Sequence, residues 1–400
     1  MDRLTAPLSD VEVADLVRWR RCLHQEPELS LVEHDTQVWL QQTLAELGAG
    51  EVRPVGGTGL ALRFGRGETD RTLLLRADMD ALPITELTGL DFASRRPGQM
   101  HACGHDGHMA CLLAVTRRLV EWGEQISGHV VVAFQPGEEG GRGALRMIDD
   151  GLLDGRWLDG RGPAVKAAYG LHLWSPLPVG VVSCASGPTM AAVDEFTILV
   201  RGRGGHGALP HTAADAIVAA SHIVLALQSI ASRRTDPLEP VVVTVGSMHG
   251  GGAFNVIAEE VTLRGTVRSF GRELGDQLPE WLAHVAQTTA AAHGTTASVD
   301  YKRHTVALCN DPAMTERIAA VAAVTPGVTA VDRSLRMMAG EDMAYFLRAV
   351  PGCFFFVGCG GPGAEPHHSP RFVVDEAALA VGAQVMLGAV AGFFAPSAGG

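Results

Sequence analysis

Arg71-Thr72-Leu73-Leu74-Leu75-Arg76-Ala77-Asp78-Met79-Asp80-Ala81-Leu82-Pro83 opens as a short apolar run and closes on two acids. A run of this length, bounded by polar and turn residues, reads as a strand buried on both faces. The polar residues just past its end sit where open α/β sheets hold their ligands. The pattern recurs along the chain. His129 to Phe134 runs into Gln135-Pro136-Gly137-Glu138-Glu139-Gly140-Gly141, Ala167 to Tyr169 into Gly170-Leu171-His172, and Cys353 to Val357 into Gly358. Helical periodicity lies between and before these runs, over Val11 to Cys22, Thr36 to Leu47 (closed by Gly48) and His108 to Trp122. Alternating strands and helices predict an α/β catalytic domain, its mixed sheet flanked by helices.

From about Met190 the rhythm changes. Glu195 to Val200, Val241 to Val245, Val261 to Val267 and Ala297 to Tyr301 read as strands, with helices over Ala213 to Ile230 and Leu274 to Ala292. Four strands and two helices make a smaller α+β insertion. The expected organisation is therefore a catalytic domain in two parts, 1–189 and 303–400, interrupted by an inserted domain at 190–302. The second part carries helices near Ala313 to Ala323 and Glu341 to Val350, and a small-residue tail at 395–400. The length of 400 residues favours two domains over one.

With 46% apolar and 19% charged residues, the chain is neither disordered nor a disulfide scaffold. The 32 basic residues face 44 acidic ones, a net charge of −12 that repels phosphate backbones and anionic lipid heads, so neither nucleic acid nor membrane is an expected partner. Lysine occurs only as Lys166 and Lys302, neither in a phosphate-cradling loop. Seven cysteines without framework spacing predict a reduced, cytoplasmic chain. The N-terminus has no signal pattern, and no apolar stretch approaches the ~18 residues of a membrane span. The 16 histidines direct attention to imidazole and metal chemistry.

His101-Ala102-Cys103-Gly104-His105-Asp106-Gly107-His108 puts three imidazoles and a thiol into one short stretch. A loop or strand end can aim Cys103 and His105 at one ion, with Gly104 and Gly107 permitting tight backbone. The plainer alternative is a polar loop capping the following helix. Glu138 and Glu139 repel each other unless a divalent cation intervenes, in which case one ligates while the other handles a proton; an ordinary acidic turn is the alternative. His172 and His368 are weak signals singly. Together Cys103, His105, Glu139, His172 and His368 exceed what one tetrahedral ion needs, and two ions sharing a ligand fit better. Gly202 to Gly207 also satisfies G-x-G-x-x-G, but Pro210 and His211 separate it from the next helix, and Asp215 comes too early for a ribose contact.

The chain resembles the dinuclear metallopeptidase family of aminoacylases and carboxypeptidase G-like enzymes, and most closely its branch of hippurate hydrolases, N-acyl-amino-acid amidohydrolases and auxin-conjugate hydrolases. The matching stretches are residues 76–83, 101–108, 135–139, Gly170-Leu171-His172, Gly205-His206-Gly207-Ala208-Leu209-Pro210-His211, Gly340-Glu341-Asp342 and His367-His368-Ser369-Pro370-Arg371-Phe372. The resemblance implies that Cys103, His105, Glu139, His172 and His368 hold two divalent ions, Zn²⁺ or Mn²⁺, with Co²⁺ or Ni²⁺ as alternatives. It implies Glu138 as general base and Asp80 as the carboxylate orienting a ligand imidazole. Asp78 stands where other branches place a metal-binding histidine, so it is not counted as a ligand and His105 substitutes. His206 is implied as an oxyanion donor reaching the partner subunit's site, with Asn255 and Arg268 on the substrate carboxylate. A homodimer or higher homo-oligomer forming through the inserted lid domain is likewise implied. Two residues depart from the pattern: Ala258 stands where relatives usually have proline, and Met343 where an aromatic residue is common.

The expected activity is metal-dependent hydrolysis of the amide bond in N-acyl amino acids, hippurate-like or N-acetylated, or in small aminoacyl conjugates. Two rivals stand beside it. Cys103 could act as a nucleophile with His105 as base, or the chain could bind acylated amino acids through its metals without turnover.

Overall fold

The computed structural model describes residues 4–67, 71–160 and 162–395; of the tail at 395–400 only Ala395 falls among them. The chain forms two compact units. Unit 1 contains Met1–Gly187, Cys309–Leu335 and Asp342–Gly400; unit 2 contains Pro188–Leu308 and Arg336–Glu341.

Unit 1 begins with α1 (Asp10–Gln25), whose Ser9 cap and Glu12 close a reciprocal capping box. There follow α2 (His34–Glu46), β1 (Val52–Pro54), β2 (Leu60–Arg66), β3 (Thr72–Asp78), α3 (His105–Trp122), β4 (Gly128–Gln135), α4 (Gly143–Asp149), β5 (Ala167–Pro178) and β6 (Val181–Ser183). The chain passes into unit 2 along β7 (Gly187–Met190). There it forms β8 (Ala192–Arg201), β9 (Gly205–His206), α5 (Ala216–Ser229), β10 (Val241–Gly250), β11 (Val256–Ile257), β12 (Glu260–Ser269), α6 (Arg272–Ala292) and β13 (Thr296–Thr305). It re-enters unit 1 along β14 (Leu308–Asn310) and adds α7 (Pro312–Val324), β15 (Ala330–Asp332), α8 (Met343–Ala349), β16 (Gly352–Gly360) and α9 (Ala377–Phe394).

The sheet of unit 1 has the order β1-β2-β4-β3-β5-β16-β6-β15. Its centre is parallel, β4 to β3 to β5 to β16, with antiparallel pairs at β1/β2, β2/β4 and β16/β6. Every residue of β3 and β4 is buried, as expected for central strands covered on both faces. Leu73, Leu75, Val130, Val132, Leu171, Leu173, Phe355 and Val357 share one core with α3 and α9.

Unit 2 is an antiparallel sheet, β10-β12-β8-β13, covered by α5 and α6. Burial alternates along β8, with Phe196, Ile198 and Val200 turned inward against Ala219, Ile223 and Leu227 of α5. The buried stripe Leu274, Leu278, Leu282, Ala286 and Ala290 repeats every four residues on α6. The unit is wider than the 190–302 read from the sequence, because β13 continues to Thr305 and Met337 bridges back to Met190.

Three sequence expectations are corrected here. α3 starts at His105, so His105 and His108 belong to its first turn and share a face. β5 runs to Pro178, so His172 lies within a strand that pairs with β16 rather than at its end. Two stretches, Ala216–Arg234 and Ala377–Phe394, are long and apolar enough to cross a membrane, against the expectation of none; α9 buries Leu379, Val385, Met386 and Val390 in the core of unit 1.

Candidate metal centre

The ends of β3 and β4, the start of α3, the body of β5 and the loop before α9 bring thiol, imidazole and carboxylate groups together in unit 1. Gly104 carries the chain from Cys103 into α3 with φ +89°, a left-handed conformation that glycine adopts without steric cost. His368 also takes a left-handed φ of +65°, held by its N–H on the Ala102 carbonyl at 2.9 Å. Such strain in a non-glycine residue concentrates at functional sites.

The donor atoms of Cys103, His105 and His172 lie within 4.8 Å of one another. So do those of Cys103, Glu139 and His368, and those of His105, Glu138 and Glu139. Cys103 Sγ is 3.5 Å from His172 Nε2, and His368 Nε2 is 3.1 Å from Glu139 Oε1. All five residues read as ligands from the sequence therefore meet in unit 1, with Cys103 common to two of the groups.

Hydrogen bonds fix which ring nitrogens remain available. His172 Nδ1 donates to the Leu173 carbonyl at 2.7 Å and His105 Nδ1 to the Asp80 carbonyl at 2.8 Å, so in the neutral ring each Nε2 is the lone-pair nitrogen. His105 Nε2 is buried without a hydrogen-bond partner. Burial opposes a charge on His105, but Asp78, Asp80 and Glu139 outweigh it and push its pKa up to about 10. The carboxylates thus favour positive charge at this position, and the donor set of thiol, imidazole and carboxylate fits a pair of divalent cations. Burial and the imidazoles of His108 and His367 hold His172 well below the usual histidine range, in the neutral form that ligates.

Asp80 holds the glutamate loop as well as facing the histidine. Its carboxylate accepts from the backbone N–H of Glu138 at 3.0 Å and of Glu139 at 2.9 Å, and from Ser30 Oγ at 2.5 Å; Oδ1 stands 3.4 Å from His105 Nδ1. Gly137 turns this loop with φ +57°, and a Cβ there would stand 2.7 Å from Leu31 Cδ2. Asp78 is engaged on both oxygens, by His108 Nδ1 at 2.6 Å and Arg76 Nη1 at 2.8 Å.

Sequence reading passed over Arg76, Gln135 and His108 as active-site architecture. The available signal was polar residues inside or at the end of fully buried strands, Arg76 in β3 and Gln135 closing β4.

Within unit 2, His206 and Asn255 line one open cavity of about 730 Å³ together with Arg203, Val256 and Glu259. His206 Nδ1 accepts from the Ala208 N–H at 3.0 Å, so Nε2 carries the proton and is a donor. Arg268 is absent from that cavity. It is eight positions along β12 from Glu260, which lines it, roughly 27 Å at strand rise. Half-buried Arg268 is lowered from its usual pKa by burial, against the pull of Asp194.

Strand ends gathering a thiol, imidazoles and paired carboxylates, in a chain that also carries an α+β insertion, define a metallohydrolase type of protein. A model of the Peptidase family M20/M25/M40 matches residues 74–391, and the chain belongs to that family of hydrolases acting on amide bonds. It is 40% identical over 365 residues to an N-acetyl-L-cysteine deacetylase of Bacillus subtilis, covering 91% of this chain and 84% of the relative. It is 37% identical over 378 residues to IAA-amino acid hydrolase ILR1-like 4 of Arabidopsis thaliana, covering 92% and 83%. Among solved structures, Bacillus subtilis YXEP, a dinuclear metal binding peptidase of the M20 family, superposes with a TM-score of 0.82 at 32% identity, covering 96% of this chain and 98% of that one.

Proposed function

We propose that the chain is a metal-dependent amidohydrolase that splits the amide bond of N-acyl amino acids or small aminoacyl conjugates, releasing the free amino acid. The observation that carries this reading is the shared position of Cys103 between two donor groups, with Glu138 and Glu139 on one loop beside them. Cys103, His105, Glu139, His172 and His368 would hold two ions, Zn²⁺ or Mn²⁺. When bound, such ions polarise a carbonyl and make water acidic enough to attack near neutral pH.

The residues of the chain then divide the work. Glu138 takes a proton from the attacking water and returns it to the leaving amine nitrogen. Asp80 keeps Glu138 and Glu139 in place through their backbone amides. His206 donates from Nε2 to the oxygen that becomes negative at the tetrahedral carbon. Asn255 and Arg268 receive the substrate carboxylate, and in a homodimer His206 serves the partner's site. The scattered spacing of the seven cysteines supports a reducing, cytoplasmic location.

Of the rivals, the cysteine nucleophile has little support. Burial, then Glu139, Glu138 and Asp78, push the Cys103 thiol well above its ordinary pKa, so a thiolate there requires a cation beside it, which a metal-free nucleophile lacks. A panel of N-acetyl amino acids, N-benzoyl amino acids and dipeptides, assayed on dialysed protein and on protein reloaded with Zn²⁺ or Mn²⁺, tests the proposal. Hydrolysis of at least one acyl class only after reloading is expected. Equal rates without metal would overturn it in favour of the thiol, and metal binding with no turnover of any class would favour the binder.

A further inference from the structure

Arg76 is a guanidinium inside a strand whose every residue is buried, itself 1% exposed. A charge in that position requires specific pairing. Its nitrogens reach three elements: Nη1 donates to Asp78 Oδ2 at 2.8 Å, Nε to Gln135 Oε1 at 2.7 Å, and Nη2 to Asp342 Oδ1 at 3.1 Å. Two of these contacts lead to different residues of the candidate centre, and each path is taken as one side of it.

On the first side, Asp78 Oδ1 accepts from His108 Nδ1, and His108 Nε2 accepts the N–H of Leu173 at 2.9 Å. That path ends on the residue next to His172. On the second side, Asp342 is fixed by Gln135 Nε2 on Oδ1 at 2.7 Å and by the Ala144 N–H on Oδ2 at 3.0 Å. The Asp342 N–H in turn donates to Glu138 Oε1 at 3.3 Å.

We propose that Arg76 is a positioning residue that holds both sides at once: through Asp342 it sets where Glu138 stands, and through Asp78 and His108 it holds the strand bearing His172. The inference rests on the metal-dependent function proposed above. It also assigns Asp78 a holding role instead of a ligand role. Asp78 Oδ2 is 3.6 Å from His105 Nε2, near enough to compete for an ion there, but Arg76 and His108 already occupy both its oxygens.

Arg76→Lys tests this, because an ammonium keeps the charge and cannot serve three acceptors in one plane. The readouts are bound Zn²⁺ per chain by elemental analysis, Zn²⁺ affinity by competition with a chromophoric chelator, kcat and KM separately, and the melting temperature. Arg76→Lys is expected to bind two ions with affinity lowered about 10–100-fold and kcat lowered by a similar factor, with KM unchanged because Arg76 does not touch substrate. Asp78→Asn and Asp342→Asn separate the two sides and carry the test if Arg76→Lys does not fold. Asp78→Asn should chiefly weaken Zn²⁺ binding while retaining two ions, and Asp342→Asn should chiefly lower kcat. A merely structural role would lower the melting temperature and leave Zn²⁺ affinity and kcat of the folded protein unchanged, which would overturn the inference. Asp78→Asn binding only one ion would also overturn it, making Asp78 a ligand. If the wild type itself binds no metal, the functional proposal fails; if it binds two and hydrolyses while all three variants match it, only the Arg76 inference fails.

Discussion

Single residues at this centre carry assignments that their hydrogen bonds decide. His172, His105 and His206 each have one ring nitrogen tied to a backbone group. For the first two the other nitrogen carries a lone pair when the ring is neutral, and for the third it is a donor. Cys103 is the residue on which the readings differ most. Under the proposed function Cys103→Ala should lower the number of Zn²⁺ ions bound per chain below two as hydrolysis is lost, measured by elemental analysis beside the assay. A thiol nucleophile predicts loss of activity with unchanged metal content. Of the five residues taken as ligands, Cys103, His105 and Glu139 lie in short motifs with a chemical reason for their residue type, whereas His172 and His368 gain weight only from the set and the family resemblance. Arg76 could not be read from the sequence, since a lone arginine between Leu75 and Ala77 says nothing of its partners Gln135 and Asp342, which are remote in sequence.

At the scale of elements, the strands legible in the sequence were those with compact apolar runs, such as Leu73 to Leu75 and Val130 to Val132. Short edge strands such as β1 and β15 carry only three residues each and no such run. α9 escaped for a different reason. Its residues are apolar nearly all round because it is buried on most sides, so the two-faced periodicity that marks a surface helix is missing. α1 and α3 are joined by an ion pair that yields a pH prediction. Burial raises the Glu12 carboxyl, but hydrogen bonds from Arg118 and Ser9 outweigh it and hold its pKa at about 2; Arg118 Nη2 lies 2.8 Å from Glu12 Oε2. A carboxyl depressed in the folded state contributes stability above its unfolded pKa of ~4.5 and loses it as pH falls toward 2. Glu12→Gln should therefore lower the melting temperature at pH 7, and the gap from wild type should close as pH falls from about 5 to 2. A gap that is constant with pH would remove the charge from this account.

For the whole molecule, the length and the change of rhythm near Met190 suggested two domains, and the described chain forms two compact units. Within unit 2, His206 lies on the short strand β9 and Arg268 near the far end of β12. Unit 2 also exposes apolar Leu225, 70% accessible, and Val218 along α5, which fits the proposed dimer. Mixing His206→Ala with Glu138→Ala should recover part of the wild-type rate in mixed dimers, read by activity after co-refolding or subunit exchange. No recovery in confirmed mixed dimers would place His206 in the site of its own subunit. The most direct measurement is a Zn²⁺ titration of the metal-free wild type and of Glu138→Gln, following bound metal and hydrolysis of an N-acyl amino acid together. The account predicts that both proteins bind two ions per chain, that wild-type activity rises with occupancy, and that the variant stays about 10²–10⁴-fold slower at full occupancy. A metal-free wild type working at full rate, or a metal-loaded Glu138→Gln working at the wild-type rate, would contradict it.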